Sequence, residues 1–374
     1  MDCINRPIEL INRAIELGLE GIAITDHEAL CAHMIVNKYA KELQQTNPNF
    51  TIALGNEIYL TNTRESNQKY YHFILLAKDE IGYRALKELS SIAWYNVYTD
   101  RRLERVPTLK NELAEIMKKY KGHVIGTSAC AGGELSTNLY ALAIARKNGD
   151  KEKELEYYNK SVDFINFCIE TFGKEDFYIE CAPSTKPEQI IINKQLLNVA
   201  HAFGLKMTIG GDAHYLKKED RYVHKAYLNS KGGEREVDDF YEFTYVQSPE
   251  EIREHLSLAL SDRDIDWIFE NSIEIKNKII FYSLERHQEI PEVKVKDYPK
   301  QYNWNPEKYP ILTSLLSSDN IQERYWVNQC FEVLIEKNLN TDARYFERLE
   351  EEARVKRVIG EKLQTCMFAY PNTL

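Results

Sequence analysis

Apolar positions along the first 210 residues follow two alternating rhythms, one near 3.6 residues and one of short continuous runs, and these predict helices and buried strands in turn. Residues 7–18 carry the stripe Ile8, Ile11, Ala14, Ile15 and Leu17, with Pro7 in the first turn and Gly18 at the end, and predict a helix. Ile22 to Thr25 is a short β-rich run that leads straight into Asp26 and His27. A helix follows near 29–45, then a strand from Phe50 to Leu60 with Glu57 late in it, and a third from Tyr70 to Lys78 with His72 near its start. A helical stretch at 80–97, a basic loop from Arg101 to Arg105 and a helix ending near Tyr120 come next.

The fourth strand, His123 to Cys130, runs into Ala131-Gly132-Gly133, and 135–172 reads as helix in two pieces around Asn148-Gly149-Asp150. Phe177 to Cys181 is the fifth strand, closed by Pro183. A helix at 187–203 ends at Gly204, and Lys206 to Gly210 is the sixth strand, leading to Asp212 and His214. Strands alternating with helices of 10–20 residues predict an α/β fold with a parallel sheet, closed as a barrel. The pattern changes after residue 275. Ile279 to Pro310 is rich in Tyr, Pro and Lys without a period and reads as a connector, and 320–368 is charged and helical.

Composition narrows the function classes. A chain of 374 residues with 43% hydrophobic content holds a large barrel plus a smaller part. No apolar run approaches the roughly 20 residues of a membrane span and no basic-then-apolar signal opens the chain, so a cytoplasmic protein is expected, with no membrane partner. The seven cysteines never fall in CxxC spacing, which speaks against a disulfide framework and a zinc ribbon. A net charge of −10 speaks against gripping nucleic acid over the whole surface, while leaving room for a local basic groove.

The polar residues at strand ends are Asp26, His27, Glu57, His72, Cys130, Asp212 and His214. Imidazoles, carboxylates and a thiolate are the donor set for zinc, manganese or iron. Asp212 and His214 stand two apart, so on an extended segment both side chains share a face. Taken singly, each residue has a plainer reading: Asp26-His27 as a turn pair, His72 as a core histidine, Cys130 as an inert thiol. His33, His201 and Cys181 read as structural. The run Arg101, Arg102, Arg105 and Lys110 fits either a phosphate site or a solvated face.

The succession ITDH at 24–27, GNEIYL at 55–60, YYHFILLAK at 70–78, GTSACAGGELS at 126–136, FYIE at 177–180 and GGDAHY at 210–215 resembles the polymerase and histidinol phosphatase (PHP) domain. It is most similar to the copy at the N-terminus of the bacterial DNA polymerase III alpha subunit, which GYRALKELSSIAW at 82–94 and YFERLEEEARVKRVIGEKL at 345–363 also resemble. The resemblance implies a distorted seven-stranded β/α barrel with metals at the C-terminal rim. Its ligands fall on His27, Glu57, His72, Cys130, Asp212 and His214, with Asp26 orienting His27; Asp26, His27, Asp212 and His214 would lie at the reacting centre. Up to three divalent ions would make a hydroxide and clamp a phosphodiester.

Two departures accompany it. The family's first motif, a His-x-His, lies upstream of the residues matching Met1 onward, so the resemblance implies a barrel without its first strand, with Asp2 as the last ligand of that motif. The segments that carry nucleotidyl transfer lie beyond the end of the sequence. The domains expected are 1–278 as the PHP domain, 279–310 as a connector and 311–374 as the start of the polymerase palm. The resulting expectation is part of a replicative polymerase, possessing a metal-dependent 3′–5′ exonuclease, with DNA, the rest of the polymerase and replisome subunits as partners. The alternatives are a free phosphoesterase acting on a small phosphorylated metabolite and a non-catalytic scaffold.

Overall fold

The computed structural model describes residues 3–65, 68–100, 103–230, 239–286, 295, 302 and 304–363, and divides the chain into two units, 1–285 and 286–374. The first opens with α1 (Pro7–Glu16), β1 (Gly21–Ile24), α2 (His33–Leu43), β2 (Thr51–Thr61) and β3 (Tyr71–Ala77). It continues through α3 (Glu80–Tyr95), the strands β4 (Tyr98–Asp100), β5 (Leu103–Arg105) and β6 (Pro107–Leu109), α4 (Lys110–Lys119) and β7 (Val124–Thr127). The long pair α5 (Glu134–Asn148) and α6 (Lys151–Phe172) precedes β8 (Phe177–Cys181), α7 (Pro187–Phe203) and β9 (Lys206–Ile209), and α8 (Arg221–Asn229), α9 (Pro249–Ser257) and α10 (Asp262–Lys278) complete the unit.

Pattern and punctuation account for most of these bounds. Pro187 starts α7 at a position where a missing N–H costs nothing, and Gly204 ends it. Gly149 sits at φ 72°, the left-handed turn between α5 and α6 that a side chain would strain. The fold is mixed α/β, with a seven-stranded sheet in the order β1-β2-β3-β7-β8-β9 and β6 paired to β2. The core lies between sheet and helices, where Phe73 packs against Phe164, Phe172 and Phe177. Each such side chain, fully buried, contributes about 1.5–3 kcal/mol.

The sheet departs from the all-parallel expectation at one strand, because β3 runs antiparallel to both β2 and β7. The link from Thr61 to Tyr71 shows no helix among its described residues and is too short for a parallel crossover, which needs a dozen residues or more. Among the described residues no ladder joins β1 to β9. The chain's opening segment instead reaches the loop after β9, where Ile4 N–H donates to the His214 carbonyl (3.0 Å) and Asn5 to that of Ala213 (2.8 Å).

Two further readings change. The basic stretch expected as a loop belongs to an antiparallel pair, β4 with β5, held to the sheet where Tyr70 and Tyr98 hydroxyls meet; Arg101 and Arg102 lie outside the described residues. Residues 279–285, expected to begin a connector, close on the first unit: Ile280 N–H donates to Lys78 O (2.7 Å), and Asn37 bonds both Tyr282 O and Leu284 N–H (2.7 Å each).

The second unit holds α11 (Pro310–Leu316), α12 (Ile321–Glu336) and α13 (Ala343–Leu363) around Leu312, Leu315, Trp326, Phe331, Phe346 and Leu349. The Glu350 carboxylate accepts the Ile311 and Leu312 N–H groups at 2.7 and 2.9 Å, satisfying donors that the start of α11 leaves over. No helix among the described residues is long and apolar enough to cross a membrane.

Candidate metal centre

Strand direction assembles the site. The ends of β1, β2, β7, β8 and β9 and the start of β3 share one rim, because β3 is reversed. His27 bridges to Glu57 across the β1–β2 edge, and His72 bridges to Gly133. Residues 57 and 59 share a face of β2 by the two-residue alternation, and Tyr59 stands opposite His72.

His27, Glu57 and His72 present ligand atoms that all lie within 4.8 Å of one another. The Glu57 carboxylate is buried, with Oε1 at 2.8 Å from His72 Nδ1 and Oε2 at 3.7 Å from His27 Nε2. Cys130 Sγ stands 3.5 Å from the same Nδ1 and accepts the Gly132 N–H at 3.4 Å. The Tyr59 ring stacks on His27 at 5.1 Å and 7°. His27 Nδ1 is buried without a hydrogen-bond partner among the described residues.

Asp212 and His214 arrive from the loop after β9. Asp212 adopts φ 41° rather than an extended conformation, so the shared-face geometry expected from their spacing is replaced by a turn. Within it His214 Nδ1–H donates to the Asp212 carbonyl at 2.8 Å, with the Asp212 carboxylate 3.6 Å from the same nitrogen. The donated proton leaves Nε2 as the ligand-capable atom of that tautomer. The bond expected from Asp26 to His27 is not made: Asp26 is exposed, and its backbone carbonyl accepts the Glu57 N–H at 3.2 Å. Alternation explains this, since His27 faces inward to Glu57 and its neighbour cannot. Asp2 lies outside the described residues.

The electrostatics of the centre turn on its buried acids and thiol. Burial raises the Asp212 carboxyl above its ordinary range, and the Glu57 charge raises it further against the pull of His214, His27 and His72. Burial also drives the Cys130 thiol well up, helped by Asp212 and Glu57. A third acid, Glu180 at the end of β8, is pushed up to about 8, by burial first and then by Glu57 and Asp212, although Thr127 donates to its Oε2 at 2.7 Å. Each of these ionisations is opposed by the negative charge of its neighbours, and a bound divalent cation would reverse that balance. The convergent imidazoles and carboxylate, the orphaned His27 Nδ1 and this surplus of acids fit a metal ion.

Sequence reasoning missed Glu180 and Tyr59 as members of the site, and Glu28 as a buried acid beside it. Glu180 ends the FYIE run and Tyr59 follows Glu57 by two, so strand alternation was the available signal for both. Glu28 carried none, because its burial depends on β2, β6 and α3.

Residues 1–184 match the family model of the PHP domain. The chain is similar to "Probable DNA polymerase YorL" of Bacillus subtilis (strain 168) and to the DNA-directed DNA polymerase of Bacillus phage SPbeta. Each is 36% identical over 338 residues, covering 87% of this chain and 26% of the relative. The DNA polymerase III subunit alpha of Borreliella burgdorferi is 27% identical over 284 residues, 72% of this chain and 22% of that protein. The chain thus spans about a quarter of the length of the curated relatives it matches.

Proposed function

We propose that this chain is the metal-dependent phosphoesterase module of a replicative DNA polymerase alpha subunit, acting as an exonuclease on DNA 3′ ends. The observation that carries the reading is the convergence of His27, Glu57 and His72 within ligand distance at a rim also supplied with Cys130, Asp212 and His214. In this reading 311–374 is the beginning of a palm domain. DNA, the remaining polymerase and replisome subunits are the partners, in the cytoplasm.

His27, Glu57 and His72 would hold zinc, manganese or iron, with Asp212, His214 and Cys130 as further donors. Such an ion, when bound, generates hydroxide at neutral pH and offsets phosphate charge. Tyr59 fixes the plane of the His27 ring by stacking, and Glu57 bridges the two imidazoles, so the donors are oriented before any ion arrives.

The test is release of nucleotides from a 3′-labelled single-stranded oligonucleotide by the zinc- or manganese-loaded chain, beside hydrolysis of p-nitrophenyl phosphate and elemental analysis. Nucleotide release that Glu57→Gln abolishes is expected. Hydrolysis of the monoester alone would move the assignment to a small phosphorylated metabolite, and a protein that takes up no metal would leave the scaffold reading.

A further inference from the structure

On the edge of β2 the sheet is continued by a side chain. β1 pairs with Thr51–Leu54 and then ends, and β6 joins only from Tyr59 onward. In the gap Glu57 N–H donates to Asp26 O (3.2 Å), Glu28 N–H donates to Glu57 O (2.9 Å), and Tyr59 N–H donates to the Glu28 carboxylate Oε1 (2.7 Å). The Glu28 carbonyl in turn accepts Trp94 Nε1–H from α3 at 2.7 Å. Thr108 of β6 lies beside the same carboxyl, and Glu28 is 3% exposed.

This residue also carries strain. Glu28 sits at φ 47°, in the left-handed region that costs a side-chain-bearing residue roughly 1–2 kcal/mol. Two of the other described non-glycine residues with positive φ, Ala129 and Asp212, flank the same centre. Strained backbone persists where its surroundings over-determine it. Here the surroundings are bonds from one residue to the strand of Glu57 and to α3, made next to His27.

We infer that Glu28 is a positioning residue, which clips the loop carrying His27 onto β2 and so sets the distance between the His27 and Glu57 donors. The inference rests on the metal reading of the site. Its carboxyl needs only to accept a hydrogen bond from Tyr59 N–H, which a Gln side chain can do, whereas Ala and Gly cannot. Gly additionally relieves the left-handed backbone, so it separates lost anchoring from lost strain. Trp94 reaches the clip from a helix that contributes no donor, and Phe in its place removes only the Nε1–H bond.

The experiment measures zinc affinity of the full chain by chelator competition and the visible spectrum of the cobalt-substituted protein, well below the melting temperature of each metal-free variant. Loss of a residue that orients a ligand lowers metal affinity about 10–100-fold, and this is the expected result for Glu28→Ala and Glu28→Gly, with an altered cobalt spectrum. Glu28→Gln should restore wild-type affinity and spectrum, and Trp94→Phe should weaken binding by a smaller factor even if the Ala variant fails to fold. Wild-type affinity and spectrum in the Gly and Phe variants would overturn the inference, as would a loss in Gln equal to that in Ala. Wild-type protein that binds neither zinc nor cobalt would remove the metal reading itself, and this inference with it.

Discussion

The carboxyl of Glu180 occupies the space that a side chain at Gly210 would need: a Cβ built on Gly210 collides with its Cγ, Cδ and Oε1. Glu180 pairs with Thr208 across the β8–β9 edge and Gly210 lies two residues further on, so glycine there lets a buried acid lie between the ends of β7 and β9. Overpacking a filled interior costs typically about 1–3 kcal/mol, so Gly210→Ala should destabilise the first unit by that order. Glu180→Ala in the same chain should recover most of the loss. Urea unfolding of the two single variants and the double variant measures the coupling, and strictly additive losses would show that the two side chains do not compete for one space.

The metal centre makes a prediction that needs no substrate. A ligand that binds only the folded state stabilises it by about 2.7 kcal/mol at a hundredfold excess over Kd. Added zinc or manganese should therefore raise the melting temperature of the wild-type chain, and His72→Ala should lose most of that rise. An equal response in both proteins would place the binding elsewhere.

His33 supplies the pH dependence. Burial in the core pushes its imidazole down to about 4, so it is held neutral against Tyr83. The unfolded chain takes up this proton near 6.5 and the folded one only near 4, so the unfolded state binds more protons between those values. The contribution of His33 to stability is full above about 6.5 and falls as the pH drops toward 4, by roughly 3 kcal/mol, while the raised carboxyl of Glu180 acts in the opposite sense. Denaturation midpoints across that window should fall less steeply in His33→Leu than in the wild type, once each is referred to its own value at pH 7. Parallel curves would rule out a neutral buried His33.

In the second unit, Glu350→Ala should cost about 0.5–2 kcal/mol, the usual range for losing a helix N-terminal cap, and Glu350→Gln distinctly less. Hydrogen exchange at the Ile311 and Leu312 amides reads this directly, since both donate to the Glu350 carboxylate. Unchanged protection in the Ala variant would mean that other groups satisfy these amides.

What could be read in the sequence was what short-range physics decides. The bounds of α7 follow from Pro187, Gly204 and a steady apolar period, and the donors His27, Glu57 and His72 announce themselves as polar side chains within or just beyond apolar strands. The reversal of β3 was hidden, because pairing direction depends on where the next strand finds a partner. The burial of Glu28 and Glu180 was hidden for the same reason: each acid is enclosed by elements distant in the chain, and the residue code says only that it is acidic. Asp26 shows the converse: the resemblance implied an orienting bond to His27, and the structure leaves His27 Nδ1 without that bond.

The reversed strand also bears on how this site could diversify. Both ends of the connection between Thr61 and Tyr71 stand on the side of the sheet that carries Glu57 and His72. Between two parallel neighbours a connection must travel the full length of a strand, so its minimum size is dictated by the sheet. Here the segment is anchored like the handle of a cup, and its length can grow or shrink without shifting the register of any strand. Insertions there would remodel the approach to the site while the donors beneath stay in place.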